Sequence, residues 1–503
     1  MTAPDAGRLT GLTHRDADWA GLRVVVTGLG ISGFAAADAL LERGAQVIVV
    51  DAGNGSTEQS ERARILGILD ADVRLGPEHV TDLPAYAEGQ VDLVVTSPGW
   101  RPDQPVLAAA ARHGIPIWGE VELAWRMRPA TGAAPWLTVT GTNGKTTTVQ
   151  MLEAILRADG LRALAVGNVG TPIIEALLDP EPYDVLAVEL SSFQLHWSES
   201  ISAMASCVLN VAPDHLDWHG GEGPYAAAKA KIYENTQVAC VYNVDDPATE
   251  AMVEEADVVE GCRAIGFTLG TPNLSMLGVV DDVLADRAFV AERKTSAAEL
   301  ATLRDLPGGA DGAPAPHLVA DALAAAALAR AYGVSTAAVQ RGLRDFRPGD
   351  HRGTELEEIG GVRFVNDSKA TNPHAAAGPL QAHASIVWVA GGQLKGADVG
   401  QLISDHAHRM RAAVVLGVDG QVIAEALADA VPGLPVTVIG ETDPATAMAQ
   451  ACSAAAGAAQ PGDVVLLAPA AASLDMFTGM AQRGDFFVDG ARAATAAREG
   501  DGR

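Results

Sequence analysis

Positive charge is scarce in this chain of 503 residues: 35 Lys and Arg stand against 63 Asp and Glu, for a net charge of −28. A nucleic-acid or anionic-membrane surface needs an extended basic patch, so neither partner is expected. Anionic ligands must then be met by local devices such as loop amides, single Lys or Arg side chains and metal ions. Cysteine is also scarce. Cys207, Cys240, Cys262 and Cys452 are scattered without a Cys-x-x-Cys pair, which reads as reduced thiols of a cytosolic protein and gives no zinc site. Long apolar runs are missing too. The Ala-rich stretch Val319–Ala329 is too short to cross a bilayer and is followed by Arg330. The polar start from Met1 to Arg23 has no apolar h-region, so no secretory signal and a cytoplasmic location are expected.

A more local absence lies in the most informative segment, Trp136-Leu-Thr-Val-Thr-Gly-Thr-Asn-Gly-Lys145-Thr-Thr-Thr-Val149. A standard P-loop carries a further glycine, with four residues between it and its Gly-Lys pair. Val139 occupies that position here, leaving the shorter loop Gly141-Thr142-Asn143-Gly144-Lys145-Thr146. The physics of phosphate binding survives the change. Glycines let backbone N–H groups approach anionic oxygens, a helix N-terminus adds a favourable dipole, Lys145 supplies a point charge, and the Thr146 hydroxyl can ligate Mg²⁺. Val149, Leu152, Ile155 and Leu156 fall on one face of the helix this predicts, and Gly160 stands where it should stop.

The length allows about two to four domains, and 48% hydrophobic residues provide a core for each. Leu22–Val26 predicts a strand leading into Gly28-Leu-Gly30-Ile-Ser32-Gly33, then a helix ending near Gly44 and a strand Gln46–Val50 closed by Asp51. That is the order of a dinucleotide-type βαβ start, with an acid placed to accept from a ribose or other hydroxyl. Val91–Val95 predicts another strand, ending in Ser97-Pro98-Gly99. Linkers are read at Pro129–Pro135 and Phe346–Asp350. Between them strands are expected at Val185–Leu190, Cys207–Val211 and Val238–Asn243, and a helix at Val319–Tyr332; no element is assigned from about Asp281 to Pro316. Beyond the second linker, Val362–Val365, Ile386–Ala390, Ala413–Leu416, Val436–Ile439 and Val464–Leu467 read as strands of a third α/β domain. The expected domains are 1–131, 132–346 and 347–503. The first and third are Rossmann-like, and the central one is a P-loop-type ATPase domain with a mostly parallel sheet.

In open parallel sheets, ligands gather at the carboxyl ends of strands. Glu189 and the Asp214-His215 pair are therefore expected beside the Lys145 loop. Mg²⁺ wants oxygen donors, which Glu189 and Thr146 supply, whereas His215 is a softer ligand. Lys229 and Lys231 lie on a helical pattern that, by itself, presents exposed lysines. In the last domain, Asn366-Asp367-Ser-Lys369-Ala-Thr371-Asn372, Lys395 after Gly391-Gly392, and Asp350-His351-Arg352 put cations and hydroxyls at strand ends. Together they suit a small polyanion such as a dicarboxylate.

These blocks, with Glu189-Leu-Ser-Ser-Phe-Gln194, Lys229…Tyr233-Glu234-Asn235, His351-Arg352 and Ala472-Ser473-Leu474-Asp475, resemble the Mur ligase superfamily from about Leu22 to Phe487. Asn366–Asn372 and Gly28–Gly33 resemble its D-glutamate-adding branch. The resemblance implies amide synthesis driven by ATP with two Mg²⁺ ions, joining D-glutamate to UDP-N-acetylmuramoyl-L-alanine through an acyl phosphate. It implies small-molecule substrates, no membrane insertion and a monomer. Gly141, Thr142, Asn143, Gly144, Lys145, Thr146 and Thr147 would bind ATP, with Arg352 and Asp367 near the nucleotide at a domain interface. Gly28, Gly30, Ser32, Gly33, Asp51, Ser97, Gly99, Asn168 and His215 would hold the acceptor. Lys369, Thr371, Lys395, Ser473 and Leu474 would hold D-glutamate. Thr146, Glu189, His215 and Lys229 would serve the metal, with Lys145, His215 and Lys229 catalytic. Lys229 matches the family's carbamylated lysine; a carbamate is an oxygen donor where an ammonium would be repelled by Mg²⁺. Three positions depart from the family pattern: Gly53 where a basic residue is common, Leu318 in the adenine-side segment His317–Asp321, and Met480 in place of an aromatic. The Gly28–Gly33 type of first domain disfavours the folate-glutamylating relatives as the match. Lys369 and Lys395 favour an acidic over a diamino acid substrate. A nucleotide-dependent switch would not need the third-domain pocket.

Overall fold

The computed structural model describes residues 6–53, 55–308, 313–356, 358 and 360–501. Three α/β domains are built on three sheets. The first sheet is fully parallel, in the order Asp72–Leu75, Gln46–Asp51, Arg23–Thr27, Leu93–Thr96, Ile117–Gly119. The second has nine strands. Its parallel part runs Ala163–Gly167, Val185–Glu189, Trp136–Thr140, Ala205–Val208, Ala239–Asn243, Arg263–Phe267, Met276–Val280. Val283–Asp286 and Ala298–Thr302 extend it antiparallel. The third sheet runs Thr354–Glu355, Arg363–Asn366, Val464–Leu467, Ile386–Gly391, Met410–Leu416, Val436–Val438, with only its first strand antiparallel.

The β-branched runs became strands buried on both faces, as parallel sheets covered by helices require. Observed ends fall within a few residues of those expected, as at Arg23–Thr27 and Ala205–Val208. The segment with no assigned element, from Asp281 to Pro316, holds the two antiparallel strands and a short 3₁₀ turn, Leu303–Asp305. Their order rests on a long-range pair: the buried Asp286 carboxylate accepts from Ala288 N and Phe289 N and pairs with Arg330 Nε at 3.0 Å. Ala163–Gly167, Asp72–Leu75, Ile117–Gly119, Arg263–Phe267 and Met276–Val280 were not anticipated either.

The helix after the phosphate loop, Lys145–Ala158, buries Val149, Met151, Leu152, Ile155 and Leu156. Each such side chain contributes about 1.5–3 kcal/mol of transfer free energy. The helix stops at Asp159, with Gly160 in the left-handed region at φ +89°.

Two compact units partition the chain. One comprises Met1–Val211, Ala226–Asp305 and Ala320–Phe346, and the other Ala212–Tyr225, Leu306–Val319 and Arg347–Arg503. In the first unit, the first two sheets share one apolar core that runs from Val24 and Val26 through Trp118 and Trp125 to Trp136, Ile173 and Leu186. Trp125 and Trp136 meet edge to face at 4.9 Å. The segment Pro129–Pro135 therefore joins two domains that also share this core.

Two buried acids on helix Glu120–Arg126 cross the same seam. Glu122 accepts from Glu199 N (2.8 Å), Ser200 N (3.0 Å), Ser200 Oγ (2.5 Å) and Arg126 Nε (2.6 Å). Burial works to raise its pKa, but these donors together hold it below the ordinary value. Glu120 is less well supplied. Burial pushes it up to about 7 with help from Glu175, against the pull of the Ile174 and Ile173 amides.

An acid whose folded pKa lies above its unfolded value of about 4.5 contributes stability fully present below that value and lost as pH climbs through about 7. Glu120→Gln keeps an acceptor oxygen and removes the titration. Unfolding free energies at a series of pH values should shift in favour of the variant between about pH 4.5 and 7; a pH-independent difference would contradict the buried titration.

Candidate active site

The parallel register places Val139 opposite both Glu189 and Cys207. The turns that follow the three strands therefore open at one edge. The phosphate loop is held from its neighbour by Asn210. Thr142 N donates to Asn210 O (3.0 Å), Asn143 N to Asn210 Oδ1 (2.9 Å), and Asn210 Nδ2 returns a bond to Asn143 O (3.1 Å). Asn210 was quoted in the sequence motif but given no role; its type fits, because a side-chain amide offers separate donor and acceptor atoms at once. Gly144 caps the following helix at φ +85°, and a Cβ there would lie 2.3 Å from Asp321 Oδ1. Lys145 Nζ donates to Gly141 O (2.9 Å) and Thr142 O (2.8 Å), while Thr146 and Thr147 open the helix.

Lys229 overturns the reading of an exposed helical lysine. Its side chain is 1% exposed, and Nζ donates to Gly141 O at 2.8 Å. The cause is tertiary: helix Glu222–Ala230 lies over the sheet edge, so its last-turn lysine reaches the phosphate loop. Lys231 is half-buried and donates to Ser198 O and His196 O.

Glu189 ends its strand fully buried. Oε1 accepts from Asn168 Nδ2 (2.9 Å), and Oε2 has no partner. Asn168 N also donates to Glu189 O (3.0 Å), so the loop Gly167–Gly170 is pinned to this carboxylate. A buried carboxylate oxygen without a donor is costly. A hard cation beside it would remove the cost, so this donor set fits Mg²⁺.

At the first sheet, Gly28 N donates to Val50 O (2.8 Å), and Asp51 spends both oxygens on the chain. Oδ2 accepts from Leu29 N and Oδ1 from Gly53 N, each at 2.7 Å. Asp51 thus shapes the loop directly, whatever else it binds. Gly33 is needed because a Cβ would sit 1.9 Å from Gly28 O, whereas Gly30 borders open space and Ser32 is half-buried. Ser97 Oγ is buried without a partner, close to both Gly28 and Gly33, and Gly99 lies two residues on. At Gly53 a side chain would strike Gln59 Oε1 at 2.4 Å. The basic group at this loop is instead Arg62, whose Nη1 reaches Leu29 O at 3.4 Å. Only the packing of helix Thr57–Ile68 brings it there.

In the second unit, Asn366 is buried and donates to Gly484 O (2.9 Å) and meets His351 Nδ1 (3.0 Å). Burial pushes Asp367 up to about 7, against the pull of Arg352, Gly353 N and Lys369. Arg352 Nε is buried without a partner. Thr371 N donates to Lys369 O. Lys395, in the left-handed region at φ +53°, places Nζ 3.7 Å from Asp214 Oδ1 and 3.4 Å from His215 Nδ1. Asp214 and His215 thus pack in the unit that carries Lys395. Ser473 is buried, and Leu474 is 70% exposed.

Arg483, missed in the sequence, ties these loops together from below. It is buried and donates through Nε to Ser368 Oγ, through Nη2 to Ser368 O (2.8 Å), and through Nη1 to Ala471 O (3.0 Å) and Gly391 O (3.3 Å). Burial lowers its pKa to about 9. Its setting in Gln482-Arg483-Gly484 carries no local signal of this.

Fold and site define a three-domain α/β protein with a triphosphate-type loop beside a metal-ready carboxylate. Three family models match in chain order: a Mur ligase MurD-like N-terminal domain at 22–119, a Mur ligase middle domain at 139–329, and a Mur ligase glutamate ligase domain at 351–471. The chain is 53% identical over 475 residues to the UDP-N-acetylmuramoylalanine–D-glutamate ligase of Streptomyces avermitilis, covering 94% of this chain and 99% of that protein. It is 55% identical over 475 residues to the protein of the same name from Thermobifida fusca, covering 94% and 98%. Two solved structures share the fold. They are the UDP-N-acetylmuramate-alanine ligase MurC of Thermotoga maritima (TM-score 0.55, 18% identity, 94% of this chain and 100% of that one) and MurF of Acinetobacter baumannii (TM-score 0.56, 16% identity, 97% and 99%). The chain belongs to the Mur ligase family, in which it is most like the UDP-N-acetylmuramoylalanine–D-glutamate ligases. Among the described residues, no helix is long and apolar enough to cross a membrane.

Gly144→Ala should cost about 1–3 kcal/mol from the left-handed backbone, before the Asp321 contact. Thermal melting and nucleotide titration should both report the loss. Adding Asp321→Ala should relieve only the steric part; full recovery would show that the backbone conformation is not the constraint.

Proposed function

We propose that the chain catalyses ATP-dependent amide formation between the carboxylate of UDP-N-acetylmuramoyl-L-alanine and the amine of D-glutamate, releasing ADP and phosphate, in peptidoglycan precursor synthesis. The observation that carries the reading is the buried, unpartnered Glu189 oxygen at the sheet edge of the phosphate loop.

A free carboxylate is a poor electrophile. The acceptor oxygen attacks the γ-phosphorus of ATP and ADP leaves. The resulting acyl phosphate is attacked by the amine, and the tetrahedral adduct expels phosphate. Little covalent chemistry falls to the protein, whose task is positioning and charge neutralisation. Residues 132–346 would hold ATP, with the amides of Gly141–Gly144 and the Lys145 ammonium meeting the phosphates and Thr147 extending the cradle. Thr146 and Glu189 would hold Mg²⁺, which when bound neutralises phosphate charge; a second ion would be shared with Lys229 as its carbamate. Residues 1–131 would hold the uridine end of the acceptor through Gly28–Gly33, Asp51 and Ser97, with Asn168 and His215 nearer its reacting end. Residues 347–503 would hold D-glutamate through Lys369, Thr371, Lys395 and Ser473. Two ammonium groups there favour a dicarboxylate and repel a diamino acid. Arg352 and Asp367 would complete the nucleotide's surroundings. The reading includes a cytoplasmic monomer acting on small molecules alone.

Phosphate release should require both the UDP-muramoyl-alanine acceptor and D-glutamate. Equal turnover with L-glutamate, or without acceptor, would contradict the reading. Glu189→Gln keeps the shape and the Asn168 contact but removes the charge. It should raise the Mg²⁺ needed for half-maximal activity on the order of 10–100-fold, read from Mg²⁺ titrations of initial rate. Lys229→Ala should lose activity and regain part of it with added short carboxylic acids.

A further inference from the structure

Helix Ile173–Leu178 begins at Pro172, which offers no side-chain cap. The first amides of a helix have no intrahelical partner, and here the cap comes from another domain. Glu120, 2% exposed on the first turn of helix Glu120–Arg126, accepts from Ile174 N through Oε1 at 3.1 Å and draws on the Ile173 amide as well. The capped helix follows directly on the loop that carries Asn168. That loop is short and internally tied, with Gly167 N donating to Thr171 O (3.1 Å). Its far end is fixed on Glu189 by the two Asn168 bonds. One continuous path of hydrogen bonds and tight backbone thus runs from Glu120 in the first domain to Glu189 in the second.

We propose that Glu120 is a positioning residue for the acceptor's reacting end: through the Ile173–Ile174 amides it sets loop 167–172, and so Asn168, relative to the domain that holds the uridine end. This rests on the functional reading above. A substrate anchored at one end in the first domain and reacting at the second needs a fixed distance between the two. The shared core fixes the domains, and Glu120 fixes the loop. Glu122 is a natural control. It lies on the same helix and crosses the same seam, but it grips Glu199 and Ser200, after the strand of Glu189, and not the Asn168 loop.

The test uses the full chain with Glu120→Ala, Glu120→Gln and Glu122→Ala. Glu120→Ala should raise KM for the acceptor about 10-fold or more while KM for ATP stays within about two-fold. It should also speed amide hydrogen exchange across residues 167–174, read by peptide mass spectrometry. Glu120→Gln, which retains the acceptor oxygen, should recover most of both. Glu122→Ala should lower the melting temperature without moving the acceptor KM or the exchange at 167–174. Should Glu120→Ala not fold, Glu120→Asp withdraws the carboxylate by one methylene and carries the same comparison. Wild-type turnover with an unchanged acceptor KM and unchanged exchange in the Glu120 variant would overturn the proposal alone. An equal effect from Glu122→Ala would also overturn it, reducing Glu120 to general seam stability. Wild-type enzyme without acceptor-dependent phosphate release would overturn the functional reading, and the acceptor's part in this proposal with it.

Discussion

The parallel register of Trp136–Thr140 between Val185–Glu189 and Ala205–Val208 is the constraint on which the central site depends. It brings three turns to one sheet edge: the phosphate loop, the Glu189 carboxylate with Asn168, and the Asn210 amide that brackets the loop. A slip of one residue would turn every side chain of the strand to the opposite face. Val139 and Glu189 would then no longer be opposed, and the loop amides would lose Asn210. Both faces of these strands are buried, so a slip would force the side chains of five consecutive positions to repack on the opposite face of a close-packed interior.

The same economy governs the seam between the first two domains. A continuous apolar core holds them, and two buried carboxylates, Glu120 and Glu122, provide direction where apolar contacts cannot. Each meets backbone amides at the start of a segment that leads to or from the Glu189 edge. Glu122 has enough donors to hold its pKa below the ordinary value, while Glu120 does not. Glu122 has more donors, including the Arg126 guanidinium, whereas Glu120 has fewer and feels the neighbouring Glu175 carboxylate.

In the last domain a buried guanidinium does the comparable work. Arg483 spans Ser368, Gly391 and Ala471, just past or at the carboxyl ends of three neighbouring strands, of which Val464–Leu467 comes from late in the chain. Its planar fork suits carbonyl oxygens set at fixed angles, which a lysine could not reproduce. The loops bearing Lys369, Lys395 and Ser473 hang from those ends.

Much was legible in the sequence. The short phosphate loop, its helix and stop, and the polar residues closing apolar runs are local patterns, because φ/ψ preference and hydrophobic period act over a few residues. Hence Lys145, Thr146 and Glu189 stand at the helix start and strand end expected of them, and the fold class followed from strand and helix alternation. Lys229, Arg483, Arg62 and Glu120 were not legible as structural partners. Lys229 meets Gly141 across 88 positions and Arg483 meets Ser368 across 115. Alone, each is a charged residue on an ordinary helix. The sequence by itself marked the phosphate-type loop with its helix and most of the longer apolar strands. Only the tertiary structure decided which charges are buried, which carbonyls and amides they satisfy, and which carboxylate oxygen is left for a cation. Burial is set by what packs over a residue, and that comes from distant parts of the chain.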